Sequence, residues 1–188
     1  MKKIISCLAT LALMLCTLSS ITAFAAGNGT ISMSNATVAQ GGTVTLNVDL
    51  NSNPGLVTMG IKVSYDTSTL QLTKVEDTGV LIGTQLKTTY GSPYSIAWVD
   101  GSATSNNTKT GTIAKFSFKV LDSATVGNTT VTLKFLDSYD TNYGENAFTA
   151  TSGIITVDIF LYIKYNKIDV VCTIGGNRFG LQAVFQTD

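Results

Sequence analysis

Alternating apolar and polar residues dominate the chain between residues 30 and 157, and the clearest case lies at 57–65. One parity of this run is apolar and comprises Val57, Met59, Ile61, Val63 and Tyr65. Alternate side chains of a strand point to opposite faces of a sheet. The run therefore predicts a strand with an apolar inner face and a plain outer face, formed by Thr58, Gly60, Lys62 and Ser64.

Similar short runs recur along the chain and are separated by turns rich in Gly, Asn, Ser and Thr, a pattern typical of an all-β sandwich. We predict strands near residues 30–33, 38, 43–50, 57–65, 70–75, 94–99, 112–121, 128–135, 148–150 and 153–157. Within 112–121, the alternation predicts four buried side chains, those of Ala114, Phe116, Phe118 and Val120. It predicts that Ile113, Lys115, Ser117 and Lys119 are exposed.

The run 94–99 is apolar on both parities, so its pattern alone does not decide which side chains face the core. Trp98 is compatible with a core anchor or with an exposed binding residue, because tryptophan is common in both settings. Asp100 precedes Gly101 and is compatible with a turn as well as with a partner contact. The irregular segment 78–93 predicts a long surface connection.

The composition argues against an enzyme. The 188 residues are 44% hydrophobic and 13% charged, which suits one compact domain, and they include no histidine, the commonest general base and metal ligand. The carboxylates are scattered without a pair that the spacing selects. Asp137, Asp140, Asn142 and Glu145 are candidate oxygen ligands for a cation, but their spacing differs from that of an EF-hand, and a solvated loop is the simpler interpretation. We predict no catalytic residue, no metal site and no cofactor.

The charge limits the expected partners, and the N-terminus indicates a secreted protein. The formal net charge is zero and no basic run occurs, so neither nucleic acid nor an anionic membrane is an expected partner. Residues 1–25 have the basic start, apolar centre and small-residue end of a signal peptide. Its removal leaves Cys172 as the remaining cysteine, so no intrachain disulfide is expected. We predict an extracellular location, with attachment to the cell surface through a longer scaffold as an open possibility.

The tail, residues 158–188, differs in character from the alternating region. Its apolar stretch, residues 159–163, is too short to span a bilayer. We therefore predict that the β-sandwich occupies 26–157 and that 158–188 form a tail of weak order.

Several motifs, taken in order, carry a family resemblance: "ISMSNATVAQGGTVTLNVDL", "YD" followed by "TLQL", an aromatic strand that ends in Asp before a Gly/Ser/Thr loop, "GTIAKFSFKV" and "SGIITV". Over about residues 30–157 the chain resembles a cohesin domain of bacterial cellulosome scaffoldins. The resemblance implies a nine-stranded antiparallel sandwich of jelly-roll topology. It also implies a binding module that captures the dockerin of a polysaccharide-degrading enzyme or scaffold. The calcium belongs to the dockerin, and polysaccharide would be met only indirectly.

The resemblance also implies a binding face. Cohesins present one sheet to a dockerin helix, and the matching positions here are Thr58, Gly60, Lys62, Ile96, Trp98, Asp100, Lys115, Ala147 and Phe148. We expect Lys62 and Lys115 to emerge together on this face, with Ile96 and Trp98 as its apolar centre. Some family members place Asn and Asp on the strand that here carries Thr58 and Gly60, so the acceptors that recognise a Ser/Thr-bearing dockerin helix are missing.

Two other classes remain open from the sequence. A carbohydrate-binding module has the same architecture and stacks sugars on a planar strip of aromatic rings, for which the candidates are Tyr90, Tyr94, Trp98, Tyr139 and Tyr143. This class requires those rings to share one exposed face. A structural repeat of a surface protein requires neither dockerin nor sugar binding, and predicts self-association instead.

Overall fold

The computed structural model describes residues 28–165 and 168–174, with side chains described over 28–159. The predicted signal peptide and Cys172's side chain lie outside the described parts. The strands are β1 (Asn28–Met33), β2 (Ala36–Ala39), β3 (Thr43–Ser52), β4 (Thr58–Ser64), β5 (Leu70–Asp77), β6 (Thr84–Gln85), β7 (Tyr94–Val99), β8 (Gly111–Val120), β9 (Gly127–Tyr139), β10 (Ala147–Thr151), β11 (Gly153–Tyr165) and β12 (Ile168–Ile174).

These strands form two sheets. One has the order β10-β1-β3-β8-β5, and the other has the order β12-β11-β9-β4-β7-β6, with β2 paired to β11. The predicted all-β class is confirmed. The predicted count of nine is not, because the described residues contain twelve strands. Of the additional ones, β6 lies in the predicted surface connection and β12 lies in the predicted tail.

The core between the sheets is formed by the apolar side chains that alternate along the strands, as the sequence predicts. Six side chains predicted to face inward are fully buried: Met59, Ile61, Val63, Ala114, Phe116 and Phe118. The first three come from β4 and the last three from β8, which belong to different sheets. Burial of apolar surface from both sheets, at roughly 25 cal/mol per Å², is the main force that holds them together.

A β-bulge changes the alternation at one point in β8. The pairing of β3 with β8 shifts between Val48 and Asp49, whose partners are Ala114 and Thr112. Ile113 is the extra residue on the bulged strand. Its side chain is fully buried, so the expectation that it is exposed is wrong.

The predicted domain end at Val157 falls inside β11, which continues to Tyr165 and pairs with β12. Residue 158 also joins the sandwich, since Asp158 is buried and its carbonyl accepts the backbone N–H of Gln40 at 3.0 Å. In the part of the chain that the structure describes, no helix is long and apolar enough to cross a membrane.

Candidate functional site

The outward sides of β9, β4, β7 and β6 form one surface, here called the β4 face. Thr58, Gly60 and Lys62 point outward along β4, because Met59, Ile61 and Val63 between them point into the core. The register places Val99, Ala97 and Ser95 of β7 beside them in that order. The face is therefore made mostly of short side chains, as the sequence predicts for β4.

A β-bulge in β9 brings two larger side chains over Gly60. The pairing of β4 with β9 shifts between Gly60 and Ile61, whose partners are Asp137 and Phe135, so Leu136 is the extra residue. A Cβ placed on Gly60 would lie 2.9 Å from Asp137 Oδ1 and 3.4 Å from Leu136 Cβ. Both side chains consequently lean over the space that the missing side chain of Gly60 leaves.

This arrangement produces a shallow depression of about 330 Å³, here called the Gly60 depression. Its lining comprises Gly60, Gln85, Leu86, Lys87, Ser95, Ile96, Ala97, Leu136 and Asp137. Leu136 is 47% exposed and Leu86 is 39% exposed. Val99 extends the apolar surface toward Thr58, and Tyr139 flanks Thr58 on its other side. Exposed apolar side chains that border a concave surface are typical of a protein-binding site.

Lysines occupy the other end of the β4 face. Lys62 and Lys134 are directly paired across β4 and β9, and both point outward because Val63 and Leu133 beside them are buried. Lys87 lines the Gly60 depression. Within the described part of the chain, the ion pair found is Lys74 with Glu76 on β5, so neither Lys62 nor Lys134 has an acidic partner there.

The expectation that Ile96 and Trp98 are exposed at the apolar centre of the face is wrong. Ile96 and Trp98 are 2% and 1% exposed, and they pair with the inward-pointing Ile61 and Met59. The larger apolar parity of β7 enters the core, which leaves Ala97 and Val99 outside. Leu136, Ala97 and Val99 take the place that Ile96 and Trp98 were expected to hold.

Three other predicted site residues belong to the opposite sheet. Lys115 lies on β8 and is exposed there, so it does not emerge beside Lys62. Ala147 and Phe148 begin β10, which pairs in parallel with β1 at the sheet edge. The ring of Phe148 covers Gly29 and lies 5.1 Å from that of Phe135, so it helps to close the edge of the core.

Asp100 stands at the end of β7 and supports a turn. Its Oδ1 accepts hydrogen bonds from the hydroxyl of Ser102 at 2.7 Å and from the backbone N–H of Ser102 at 2.9 Å. The hydroxyl, and then the N–H, lower the pKa of this carboxyl because they stabilise its charged form. Asp100 remains near the β4 face, since its N–H donates to the carbonyl of Val57.

In the candidate cation loop, the carboxylate of Asp140 is hydrogen-bonded to backbone N–H groups of the loop itself. Asp140 Oδ1 accepts the N–H groups of Asn142 at 2.8 Å and Gly144 at 2.7 Å, which makes this carboxylate a turn-stabilising group. Among the described residues, no group of three or more acidic, cysteine or histidine side chains is placed to hold a metal ion.

The candidate aromatic strip does not form. Tyr94 and Trp98 are buried, and the Tyr94 hydroxyl bonds to the backbone of Lys87. Tyr90 borders a cleft beside Tyr65, at the end of β4 opposite Tyr139. Seven residues of β4 span roughly 20 Å, so Tyr90 and Tyr139 do not share one surface. Tyr143, the remaining candidate, is 90% exposed in the loop that follows β9.

Comparison with known proteins identifies the family. The family model of the cohesin domain matches residues 29–157. No curated protein is similar enough in sequence to match the chain.

Solved structures of cohesins have the same fold. The seventh ScaB type I cohesin of Pseudobacteroides cellulosolvens superposes with a TM-score of 0.66 at 18% identity, covering 74% of this chain and 98% of that one. The sixth cohesin of scaffoldin B from Acetivibrio cellulolyticus, solved in complex with a mutant Cel5 dockerin, gives 0.62 at 16% identity, with 69% and 99% covered. A non-cellulosomal cohesin from the archaeon Archaeoglobus fulgidus gives 0.58 at 15% identity, with 70% and 91% covered.

Proposed function

Because the chain belongs to the cohesin family, we propose that it is a secreted, non-catalytic module that captures a calcium-loaded dockerin through the β4 face. The dockerin would belong to a polysaccharide-degrading enzyme or to another scaffold protein. Binding then forms a cellulosome-type complex, in which the cohesin holds the partner in place and a dockerin-bearing enzyme carries out catalysis.

The observation that carries the proposal is the shape and chemistry of the β4 face. Thr58, Gly60 and Ala97 give it a smooth floor, and Leu136 and Leu86 give it apolar contacts at the Gly60 depression. A helix can lie on such a floor with one apolar side chain in the depression, because Thr58, Gly60 and Ala97 carry only short side chains or none. Solved relatives include complexes with dockerins, which supports the choice of partner.

The face differs in its polar chemistry from the family pattern that the sequence suggested. The hydroxyl oxygen of Thr58 accepts a hydrogen bond from the backbone N–H of Tyr139 at 3.2 Å, and Gly60 offers no side chain. Asp137 is the carboxylate that stands closest to Gly60, and it comes from β9 instead of β4. We propose that Asp137 supplies the acceptor that the sequence of β4 lacks.

The test is isothermal titration of the purified protein with recombinant dockerins encoded in the same genome, each measured with calcium and with EDTA. At least one dockerin should bind with calcium and lose binding without it, because the calcium holds the dockerin's own fold. Insoluble cellulose and starch serve as parallel ligands. Retention on a polysaccharide together with no response to any dockerin would overturn the proposal in favour of a carbohydrate-binding module.

A further inference from the structure

The paired lysines on the β4 face define the chemistry of the partner. Resting on the proposed function, we propose that Lys62 and Lys134 select a dockerin whose recognition helix carries acidic side chains one turn away from the apolar residue that fills the Gly60 depression.

The two lysines are placed unfavourably within the free protein. Like charges directly opposite on neighbouring strands repel and reduce sheet stability. Lys62 and Lys134 are such a pair, and no acidic side chain of the described residues forms an ion pair with either. Asp137 is the nearby acid on the same face, and it leans over Gly60 instead. A bound anionic group would relieve the repulsion.

The distance between the Gly60 depression and the lysines matches the repeat of a helix. Gly60 and Lys62 are two residues apart on β4, which corresponds to roughly 6.8 Å along the strand. Side chains four residues apart on a helix are separated by about 6 Å along its axis. A helix that follows β4 can therefore place an apolar side chain in the Gly60 depression and a Glu or Asp over Lys62 and Lys134.

The surroundings of the lysines favour a protein helix over an anionic polysaccharide. The lining of the Gly60 depression includes Leu86, Ala97 and Leu136 and contains no aromatic ring among the described residues. Sugar rings are typically bound by stacking on aromatic faces, whereas apolar helix side chains fit small aliphatic depressions.

The experiment compares wild-type protein with the Lys62→Gln/Lys134→Gln double variant against the dockerin that wild type binds best. The control is Lys115→Gln/Lys119→Gln, which changes net charge equally on the exposed side of β8 in the other sheet. We expect the first pair to weaken binding about tenfold at low salt and the control pair to leave it unchanged. The difference should shrink at high salt, because exposed charges are screened over about 8 Å at 0.15 M.

Charge exchange completes the test. Lys62→Glu/Lys134→Glu should abolish binding of that dockerin, and replacing the acidic residues of its recognition helix with lysine should restore it. If wild type binds a dockerin and the Lys62/Lys134 variant binds it equally well, the inference fails while the proposed function stands. If wild type binds no dockerin, the proposed function fails and the inference with it. Binding of polygalacturonate in place of any dockerin would assign the lysines to an anionic polysaccharide and overturn the inference.

Discussion

Trp98 lies directly opposite Met59 across the pair of β7 and β4, and both side chains are buried between the two sheets. This pairing decides the orientation of the whole of β7. Its larger side chains fill the core and its smaller ones, Ser95, Ala97 and Val99, form part of the β4 face. Trp98 therefore stabilises the core and does not form the centre of a binding surface.

Trp98→Ala should destabilise the domain by about 3 to 5 kcal/mol, because it leaves a large cavity in a packed core. Trp98→Phe should cost less, since the indole N–H has no hydrogen-bond partner among the described protein groups. Urea unfolding followed by fluorescence or circular dichroism measures both. Val99→Ala is the matched control from the exposed parity and should change the free energy of unfolding by less than about 0.5 kcal/mol. Equal stability of Trp98→Ala and wild type would contradict the burial of Trp98.

The sequence predicted the core well because alternation is a local property. Met59, Ile61 and Val63 can be assigned to one face from seven consecutive residues. In β7 the same signal was present but weaker: Ser95 is the one polar residue of the run, and it marks the outward parity. With Ser95 outward, alternation places Ile96 and Trp98 in the core, as the structure shows.

The binding surface was less predictable because it depends on pairing between distant strands. Leu136 reaches the β4 face through a bulge opposite Gly60 and Ile61, and nothing in the sequence around Leu136 marks that bulge. Lys115 and Lys62 each have an outward parity, yet parity does not reveal that their strands belong to different sheets. Sheet assignment requires contacts between segments that lie tens of residues apart.

Two exposed turns should show matched pH behaviour. Asp66 accepts hydrogen bonds from the Ser68 hydroxyl, the Ser68 N–H and the Thr69 hydroxyl, and these lower the pKa of its carboxyl. A carboxyl with a lowered pKa in the folded state stabilises the fold above its unfolded pKa, and this contribution is lost as the pH falls through the folded value. Ser68→Ala should raise the pKa of Asp66 in a carbon-detected NMR titration.

The turn at Asp100 is the reciprocal control. Ser102→Ala should raise the pKa of Asp100 and leave that of Asp66 unchanged, and Ser68→Ala should do the reverse. A shift of both carboxyls by either substitution would mean that the turns respond to a global change in the fold instead of to their own hydroxyl donors.

Removal of residues 160–188 should leave a folded domain. The buried side chains Ile155 and Val157 remain, as does the bond from the N–H of Gln40 to the carbonyl of Asp158. We expect a single cooperative thermal transition. Truncation after Ser152 removes Ile155 and Val157 from the core and should abolish that transition. If the protein that ends at residue 159 melts without cooperativity, the hairpin of β11 and β12 is required for folding.

Gly60→Arg should prevent dockerin binding and leave the fold intact. The new side chain would point outward from β4, where its Cβ meets the carboxylate of Asp137 at 2.9 Å, a flexible group that can move aside. The rest of the arginine would fill the Gly60 depression and block a helix from the floor of the face. Binding should weaken by at least about 100-fold, equivalent to about 2.7 kcal/mol.

Gly91→Arg is the matched control, because a Cβ at Gly91 meets no atom within 4 Å. Gly91 lies beside Tyr65 and Tyr90, outside the Gly60 depression. Calorimetric titration of both variants, with thermal melts to confirm folding, measures the effect. Unchanged affinity of a folded Gly60→Arg protein would place the dockerin on another surface.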